Sequence, residues 1–411
     1  MQKYKEKLII PNFLCIFAQT KGIMSERPLK IVYCTPALYM AGGVERVLTL
    51  KANYFAEHFG YDITIILTEG SDKPLFYPLS DKIKVVNLDI GFEELWSCSF
   101  VKKVFVYLKK QHRFKKLLKK ELFRLRPDIS VSLLRREINF INDIKDGSKK
   151  VGELHINRAN YRNFDKSQSN VVKLLFSKLW MNNLLGKLEQ LNRLVVLTEQ
   201  DKASWVELNN VIAIPNPLPF SFSIVSSQEC KRVIAVGRYC HEKGYDSLFR
   251  AWAKVQKVCP DWQLVVFGDG DRTVYEQMID ALSLDRSHCI LKGRTSDIQS
   301  EYVNSSLAVC SSRFEGFGLS IVEAMSCGLP VVSFDCPWGP RSIISDKEDG
   351  ILVENGNVNL LAEFLISLMQ DDNTRKKMSA KAVKNVRRFS IEHIAKQWKK
   401  LFEEISICNT R

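Results

Sequence analysis

The stretch KIVYCTPALYMAGGVERVLTLKANYFAEHFG, from Lys30 to Gly60, decides the fold of this chain. It opens with a short apolar run, KIVYC, and continues through a loop that ends in two glycines. It then shows the apolar spacing of an amphipathic helix. The next run, DITIILTE from Asp62, has the β-branched composition of a second strand. Strands that alternate with helices in this way predict βαβ units and a parallel sheet.

The alternation continues to about Ile214 and then begins again. KIKVVNLD, PDISVSLL, KVGELHI and RLVVLTE supply further strands of the first half. The segment IPNPLPFSFSIVSSQ, from Ile214 to Gln228, is rich in Pro and Ser and is typical of a connection between domains. From Lys231, KRVIAVGRYCHEKGYDSLFRAWAKV repeats the strand, glycine loop and helix, and WQLVVFGDG, CILKG, LAVCSS and LPVVSFD give later strands. We therefore predict an α/β protein with two Rossmann-like, doubly wound domains.

The domain limits follow from these patterns. We predict a first domain at residues 30–214, a second at 215–389, and a last helix at 390–411 that packs back on the first domain. Residues 1–29 are predicted to be a non-native or disordered extension, with Met24 as an alternative start to Met1. The segment MQKYKEKLIIPNFLCIFAQTKG begins as signal peptides do, but Pro11 and Asn12 interrupt its apolar part. We therefore expect no signal peptide.

Composition excludes several classes of protein. A hydrophobic fraction of 45% is that of a globular chain, and the sequence has no run of eighteen apolar residues that would predict a membrane-spanning helix. The 11 cysteines are scattered without a CxxC pair or a zinc-like spacing, which favours free thiols in a reducing cytoplasm. The net charge of +14 favours an anionic partner, which can be a phosphorylated ligand, a nucleic acid or an acidic membrane face.

Candidate ligand-binding residues follow the predicted strands, because open parallel sheets bind ligands beyond the carboxyl ends of their strands. Gly42 and Gly43 lie in such a loop, where the missing Cβ atoms allow close backbone approach and N–H groups can face an anion. Arg238 and Lys243 flank the corresponding loop of the second half, and their charges suit a diphosphate. A plain glycine loop and two solvated cations are the alternatives when each feature is taken alone.

Two glutamates mark the stretch SSRFEGFGLSIVEAMSCGLPVV, from Ser311 to Val332. Glu315 precedes a loop with two glycines, and Glu323 follows after seven intervening residues, inside a predicted apolar helix that ends near Gly328. A buried carboxylate is costly unless it is paired or bound to a ligand. The alternative is that Glu323 is a helix-start charge stabilised by the helix dipole.

The same stretch carries a family resemblance. EGFGLSIVE followed by AMSCGLPVV resembles the signature of the retaining family-four glycosyltransferases of the GT-B fold. GRYCHEKG, IPNPL, LTEQDKASW, LVVFGDG and CPWGPRSIISDKEDGILV are similar to that family in the same order, from about Lys30 to Trp398. The resemblance implies two domains that face each other across a cleft. It implies a nucleotide-diphosphate sugar, expected to be UDP-linked, on the second domain, a glycan or lipid-linked acceptor on the first, and no metal or cofactor.

The resemblance also implies roles for single residues. Glu323 would hold the ribose hydroxyls, Glu315 would accept hydrogen bonds from the transferred sugar, and Arg238 and Lys243 would stabilise the leaving diphosphate. His155, in VGELHIN, matches the active-site histidine of the family, although a structural histidine is the alternative. The remaining donor-binding residues that the resemblance and the glycine loops indicate are Gly42, Gly43, Gly316, Phe317, Gly318, Leu319 and Ser320. One departure is that the family often has a glutamate near Ser342, where this chain has GPRSII.

A basic stretch follows the third predicted strand. KKVFVYLKKQHRFKKLLKK, from Lys102 to Lys120, holds nine Lys or Arg and no acid, with apolar residues at helical spacing. Such a basic amphipathic helix suits an anionic membrane surface, with Lys109, Lys110, Lys115 and Lys116 as the contacts. A solvated helix face, packed on the sheet by its apolar side, is the equal alternative.

Together with these patterns, the resemblance implies a retaining, metal-independent glycosyltransferase of surface polysaccharide or glycolipid synthesis, which we expect to be cytoplasmic and in peripheral contact with the membrane. A sugar-nucleotide epimerase of the same fold is the alternative enzyme. A protein that binds nucleic acid is disfavoured because the basic residues do not combine with an RRM, zinc-finger or helix-turn-helix pattern. A Rossmann dehydrogenase is disfavoured because GxGxxG does not follow the first strand.

Overall fold

The computed structural model describes residues 27–97, 100–161, 181–219 and 224–407. The predicted N-terminal extension therefore lies almost wholly outside the described residues, as does the end of the predicted last helix. Within these ranges the chain forms two parallel β-sheets, each with helices packed on its faces. The prediction of an α/β protein with two doubly wound sheets is confirmed.

The first sheet has seven strands in the order β3-β2-β1-β4-β5-β6-β7, and all their pairings are parallel. Its order reverses between β1 and β4, which is the point where a ligand crevice forms in open α/β sheets. The strands are β1 (Lys30–Cys34), β2 (Asp62–Leu67), β3 (Lys84–Asn87), β4 (Ile129–Ser132), β5 (Lys149–Glu153), β6 (Arg193–Val196) and β7 (Val211–Ala213).

The second sheet repeats this plan with six parallel strands in the order β10-β9-β8-β11-β12-β13. Its order reverses between β8 and β11, so the loops after these two strands lie side by side. The strands are β8 (Arg232–Val236), β9 (Gln263–Phe267), β10 (Cys289–Lys292), β11 (Leu307–Cys310), β12 (Val331–Phe334) and β13 (Gly350–Val353). β7 and β13 are the two strands that the sequence patterns did not predict.

Three helices whose two ends both lie in the described residues accompany the first sheet. They are α1 (Gly43–His58), α2 (Phe100–Leu125) and α3 (Glu199–Ser204). The buried residues of α2 include Phe114, Leu118 and Leu122, whose spacing of four places them on one face, against the sheet. α1 begins directly after Gly42 and buries Leu48, Ala52 and Phe55 in the core. α1 therefore starts at the edge of the sheet where the candidate glycines lie, whereas α2 packs against the sheet by its apolar face.

In the described chain, seven helices accompany the second sheet, and the last helix follows them in sequence. They are α4 (Tyr245–Val258), α5 (Thr273–Ala281), α6 (Ile298–Val303), α7 (Leu319–Ser326), α8 (Pro340–Ile343), α9 (Val358–Gln370), α10 (Asp372–Asn385) and α11 (Ile391–Ile407). α11 lies in the core of the first sheet, where Phe402 meets the Phe55 ring at 5.9 Å. Among the helices of the described ranges, none is both long and apolar enough to span a bilayer.

Candidate active site

A cleft of about 690 Å³ lies between the carboxyl ends of the two sheets. All the candidate donor-binding and catalytic residues line it, although they come from four separate places in the chain, after strands β1, β5, β8 and β11. The first domain contributes Gly42, Gly43, Arg46, Phe76, Tyr77 and His155, and the second contributes Arg238, Lys243, Arg294, Glu315, Gly316, Phe317, Gly318, Leu319, Ser320 and Glu323. The tertiary structure thus brings together every residue that the sequence pointed to for this site.

Lys243 and Glu315 form an ion pair on the second-domain wall. Lys243 Nζ lies 2.6 Å from Glu315 Oε1, and Ser312 Oγ donates to the same oxygen at 2.7 Å. Both contacts use Oε1, so Oε2 can accept a hydrogen bond from a substrate hydroxyl. Burial alone would lower the pKa of Lys243, but the Glu315 carboxylate outweighs burial and raises it. The lysine therefore carries its charge on the wall of the cleft.

Glu323 lies on α7 and is nearly buried, at 6% exposure. Its Oε1 accepts from Arg46 Nη1 at 2.8 Å, and its Oε2 accepts from the Tyr302 hydroxyl at 3.2 Å. Burial raises the pKa of the Glu323 carboxyl, while Arg46 and Tyr302 oppose that rise. Arg46 belongs to α1, so the first domain supplies the cation for an acid of the second domain.

The start of α7 faces the cleft. Gly318 precedes the helix with φ at 104°, a left-handed conformation that favours glycine, and no side chain caps the first helical N–H groups. Such uncapped N–H groups, with the positive end of the helix dipole, attract phosphate or sugar oxygens. Two residues before Gly318, a Cβ at Gly316 would lie 2.7 Å from His155 O, so the two domains approach closely at this glycine.

His155 follows β5 and lies on the first-domain wall, with its side chain 7% exposed. Its Nε2 is 3.1 Å from Glu153 Oε1, and the same oxygen forms an ion pair with Lys51 of α1. Glu153 and Lys51 are each 1% exposed. Burial alone would raise the pKa of Glu153, but Lys51 and then His155 outweigh it and lower the pKa to about 2. A buried pair of charges therefore stands directly behind this histidine.

A second hollow, of about 340 Å³, adjoins the cleft on the first-domain side. It shares Val44, His155, Arg238, Lys243, Glu315 and Gly316 with the cleft. Its remaining first-domain walls are mostly apolar, with one cation, and consist of Leu133, Leu134, Arg135, Leu154, Ile156 and Tyr161. The arrangement places His155 and Arg238 between two compartments, as a transfer reaction between two substrates requires.

The four lysines that were predicted to contact a membrane differ in exposure. Lys109 and Lys116 are exposed on α2. Lys110 instead donates to the carbonyl oxygens of Ile90 and Gly91 at 2.8 and 2.7 Å, and Lys115 pairs with Asp143 at 2.5 Å. The outer face of α2 also carries apolar side chains, because Phe105 is 72% exposed and Leu108 is 60% exposed.

The sequence patterns missed several residues of the site, namely Lys51, Glu153 and Arg46 of the first domain and Tyr302 and Arg294 of the second. Lys51 could have been found as a charged residue on the apolar face of a helix. It follows Val47 and Leu48 of that face and precedes Ala52. A carboxylate at the end of an apolar strand could similarly have indicated Glu153. No local pattern distinguishes Arg46 from other helix-start cations. In the part of the chain that the structure describes, no group of three or more His, Cys, Asp or Glu side chains is placed to hold a metal ion.

Comparison with known proteins identifies the family. The profile of the glycosyl transferases group 1 matches residues 220–385. An uncharacterized glycosyltransferase of Haemophilus influenzae is 30% identical over 367 residues, which are 87% of this chain and 96% of that protein. The GalNAc-alpha-(1->4)-GalNAc-alpha-(1->3)-diNAcBac-PP-undecaprenol alpha-1,4-N-acetyl-D-galactosaminyltransferase of Campylobacter jejuni is 26% identical over 89% of this chain and 96% of its own length.

Solved structures share the fold. A variant of S. aureus TarM, crystallised with UDP, superposes with a TM-score of 0.70 at 18% identity and covers 91% of this chain and 99% of its own. Some other relatives are much longer proteins, and the match with the poly(glycerol-phosphate) alpha-glucosyltransferase of Bacillus subtilis covers only 27% of that protein. The full-length match at 30% identity decides the question: this chain belongs to the group 1 glycosyl transferases and has the two-domain GT-B fold.

Proposed function

We propose that the protein transfers a sugar, with retention of anomeric configuration and without a metal, from a UDP-sugar to a glycan or lipid-linked glycan acceptor of surface polysaccharide synthesis. The observation that carries the proposal is the cleft between the two sheets. There the acids Glu315 and Glu323 and the cations Arg238 and Lys243 lie together, opposite His155. This set matches the charges and hydroxyls of a nucleotide-diphosphate sugar.

The donor nucleotide would bind toward Glu323. An ionised carboxylate offers about four lone-pair sites, and Arg46 and Tyr302 occupy two of them. The other two can accept from the two ribose hydroxyls. The diphosphate would then lie at the start of α7, near Lys243 and Arg238, where helix N–H groups and two cations are available.

The sugar would lie between Glu315 and His155. Glu315 Oε2 would accept from its hydroxyls, and closure of the domains over Gly316 would exclude water from the reaction. As the bond from the anomeric carbon to the phosphate oxygen breaks, Lys243 and Arg238 stabilise the charge that grows on the diphosphate. In a front-face route the acceptor oxygen bonds to the anomeric carbon on the same side, and the departing phosphate takes the acceptor proton.

The acceptor would enter from the hollow beside Arg135. The Campylobacter jejuni relative is named for a PP-undecaprenol-linked acceptor, which supports an acceptor on a lipid carrier for this chain as well. The exposed face of α2 fits such a carrier, since it combines Lys109 and Lys116 with Phe105 and Leu108. We place the protein in the cytoplasm, at the inner face of the membrane.

A thermal-shift screen with UDP, GDP and ADP, each with and without a chelator, tests the donor. We expect UDP to raise the melting temperature of the native protein and not that of Glu323→Ala, with no effect of the chelator. Release of free UDP from UDP-sugars, measured with and without lipid-linked glycans, then tests the reaction. Free UDP that forms only when an acceptor is present supports transfer. Release or epimerisation without an acceptor would instead support the epimerase, and the absence of any UDP binding would refute the proposal.

A further inference from the structure

We propose that the buried ion pair of Lys51 and Glu153 is a positioning device for His155, which fixes its ring with the proton on Nε2 and leaves Nδ1 to accept a hydrogen bond from the donor sugar. This inference rests on the proposed function, in which His155 faces that sugar. It assigns a purpose to two charged residues that contact no substrate.

The Glu153 carboxylate faces one nitrogen of the His155 ring. Glu153 Oε1 lies 3.1 Å from His155 Nε2, and this nitrogen is buried without another side-chain partner in the described part of the chain. An ionised carboxylate can only accept hydrogen bonds, so the nitrogen that faces it carries the proton. A small rotation of the ring would bring the N–H into line with the oxygen. Nδ1 is then the unprotonated nitrogen.

The charges of Lys51 and Glu153 cancel each other beside the histidine. A lone buried carboxylate would attract a proton to the histidine, whereas the pair of Glu153 with Lys51 is neutral as a unit. With its proton on Nε2, the neutral form of the ring presents Nδ1 as a hydrogen-bond acceptor. Among the described residues, the titratable or charged groups around this cluster include Tyr33 from β1, Lys51 from α1, Arg135 after β4, Glu153 from β5 and Tyr161, and across the cleft Arg238, Cys240, Glu242, Lys243 and Glu315.

The C-terminal helix, α11, contacts the lysine of this ion pair. The ring of Trp398, on α11, lies 4.1 Å from Lys51 Nζ, so the ammonium contacts both this aromatic face and the Glu153 carboxylate. Trp398 and Lys51 are each 1% exposed, so both groups are shielded from bulk solvent. An aromatic face stabilises a desolvated cation. The last helix thereby holds the lysine in the orientation that the histidine requires.

A purely structural ion pair would also be buried, so the test must use a property that packing does not change. In Lys51→Met, the remaining Glu153–His155 pair has gained one negative charge and takes up a proton at higher pH. In Glu153→Gln, the remaining Lys51 repels a proton from the ring. We expect the acidic limb of the kcat/KM profile to move up by about one to three pH units in the first variant and down in the second. The double variant Lys51→Met with Glu153→Gln should return toward the native profile.

A matched control is Lys150→Met, which removes another buried lysine of the same region. Lys150 pairs with Asp146 at 2.5 Å at the far end of β5 and has no contact with His155. It should lower stability without moving the pH profile. The conservative variant Lys51→Arg should keep the acidic limb in its native place. If the acidic limb of the kcat/KM profile stays in place in both variants, the proposal is overturned. The same holds if the limb moves in the same direction in Lys51→Met and Glu153→Gln.

A second readout does not depend on turnover. Long-range ¹H–¹⁵N spectra distinguish the protonated from the unprotonated ring nitrogen, and the signals of His155 are assigned by their loss in His155→Gln. We expect the proton on Nε2 in the native protein and opposite shifts of the titration midpoint in the two single variants. A proton on Nδ1 in the neutral ring would refute the positioning role even in an active enzyme. If no donor is turned over, these spectra still decide the inference, so its failure is separate from failure of the proposed function.

Discussion

Arg46 of the first domain and Glu323 of the second form an ion pair across the cleft, with 2.8 Å between Nη1 and Oε1. Arg46 lies in the first turn of α1, and Glu323 lies on α7, next to the proposed ribose position. The carboxylate that would hold the nucleotide is thus neutralised by the opposite domain. Under the proposed function, this ion pair would couple nucleotide binding to the approach of the domains.

Replacement of Arg46 tests that coupling. In Arg46→Met, Glu323 stays buried without its cation, and we expect the Kd for UDP to rise at least about tenfold. Burial already raises the pKa of Glu323, and loss of Arg46 raises it further, so the carboxylate protonates at higher pH. The loss of affinity should therefore grow as the pH falls. Calorimetric titration with UDP at several pH values measures it.

The matched control is Arg250→Met, on α4, whose side chain is 60% exposed and meets Asp246 only at 3.9 Å. This variant should bind UDP as the native protein does. A native Kd for Arg46→Met at every pH would contradict the role of the ion pair.

Replacement of Lys243 tests stabilisation of the leaving group. Lys243→Ala removes the cation that pairs with Glu315 and that would face the diphosphate of the proposed donor. We expect kcat to fall by about two to three orders of magnitude, because one charge that is aimed at the transition state contributes on that scale. Steady-state kinetics with the preferred donor measure the change. Lys254→Ala, an exposed residue of α4, serves as the control, and equal kcat values for the two variants would count against the assignment.

Replacement of Gly316 tests the close approach of the domains. In Gly316→Ala the new methyl group would lie 2.7 Å from His155 O, so the two walls of the cleft must separate. We expect kcat to fall about a hundredfold, since a displacement on the order of 1 Å costs that much. The melting temperature should change little. Gly293→Ala is the control because its Cβ would meet open space, and native kcat in Gly316→Ala would show that the walls need not touch.

Charge reversal on α2 tests membrane contact. We expect the native protein to float with liposomes that contain anionic lipid, and Lys109→Glu with Lys116→Glu to lower the bound fraction at least about tenfold, since each cation near the surface contributes about 1 kcal/mol. The matched control is Lys376→Glu with Lys377→Glu, which reverses two exposed charges on α10. Equal flotation of the two double variants, or none of the native protein at physiological salt, would refute this contact.

Much of the fold was predictable from local pattern. The runs KIVYC and RVIAV are followed by glycine loops and helices, so both sheets could be recognised from the sequence. β7 was missed because it has only three residues, which are all partly exposed. β13 was missed because its four residues, GILV, follow a charged turn and are too few to establish a period. Short strands acquire their structure from the neighbour with which they pair, not from their own composition.

The site was predictable only where a motif lies on one loop. Glu315 and Glu323 are eight positions apart, and Lys243 follows a strand that the sequence shows clearly. The partners that set the charge state of the site come from remote elements. Arg46 and Glu323 are 277 residues apart, and Lys51 and Glu153 are 102 residues apart. Their meeting depends on strand order and on how the domains dock, which local periodicity does not encode.

The sequence by itself determined that two parallel sheets form, which loops end at their carboxyl edges, and which acids and cations those loops carry. The tertiary structure decided which of these charges meet. It turned Lys110 inward to the carbonyl oxygens of Ile90 and Gly91, and it placed Trp398 over Lys51. The physical reason is that backbone pattern fixes burial and direction over a few residues, while the pairing of buried charges follows from contacts between elements far apart in the chain.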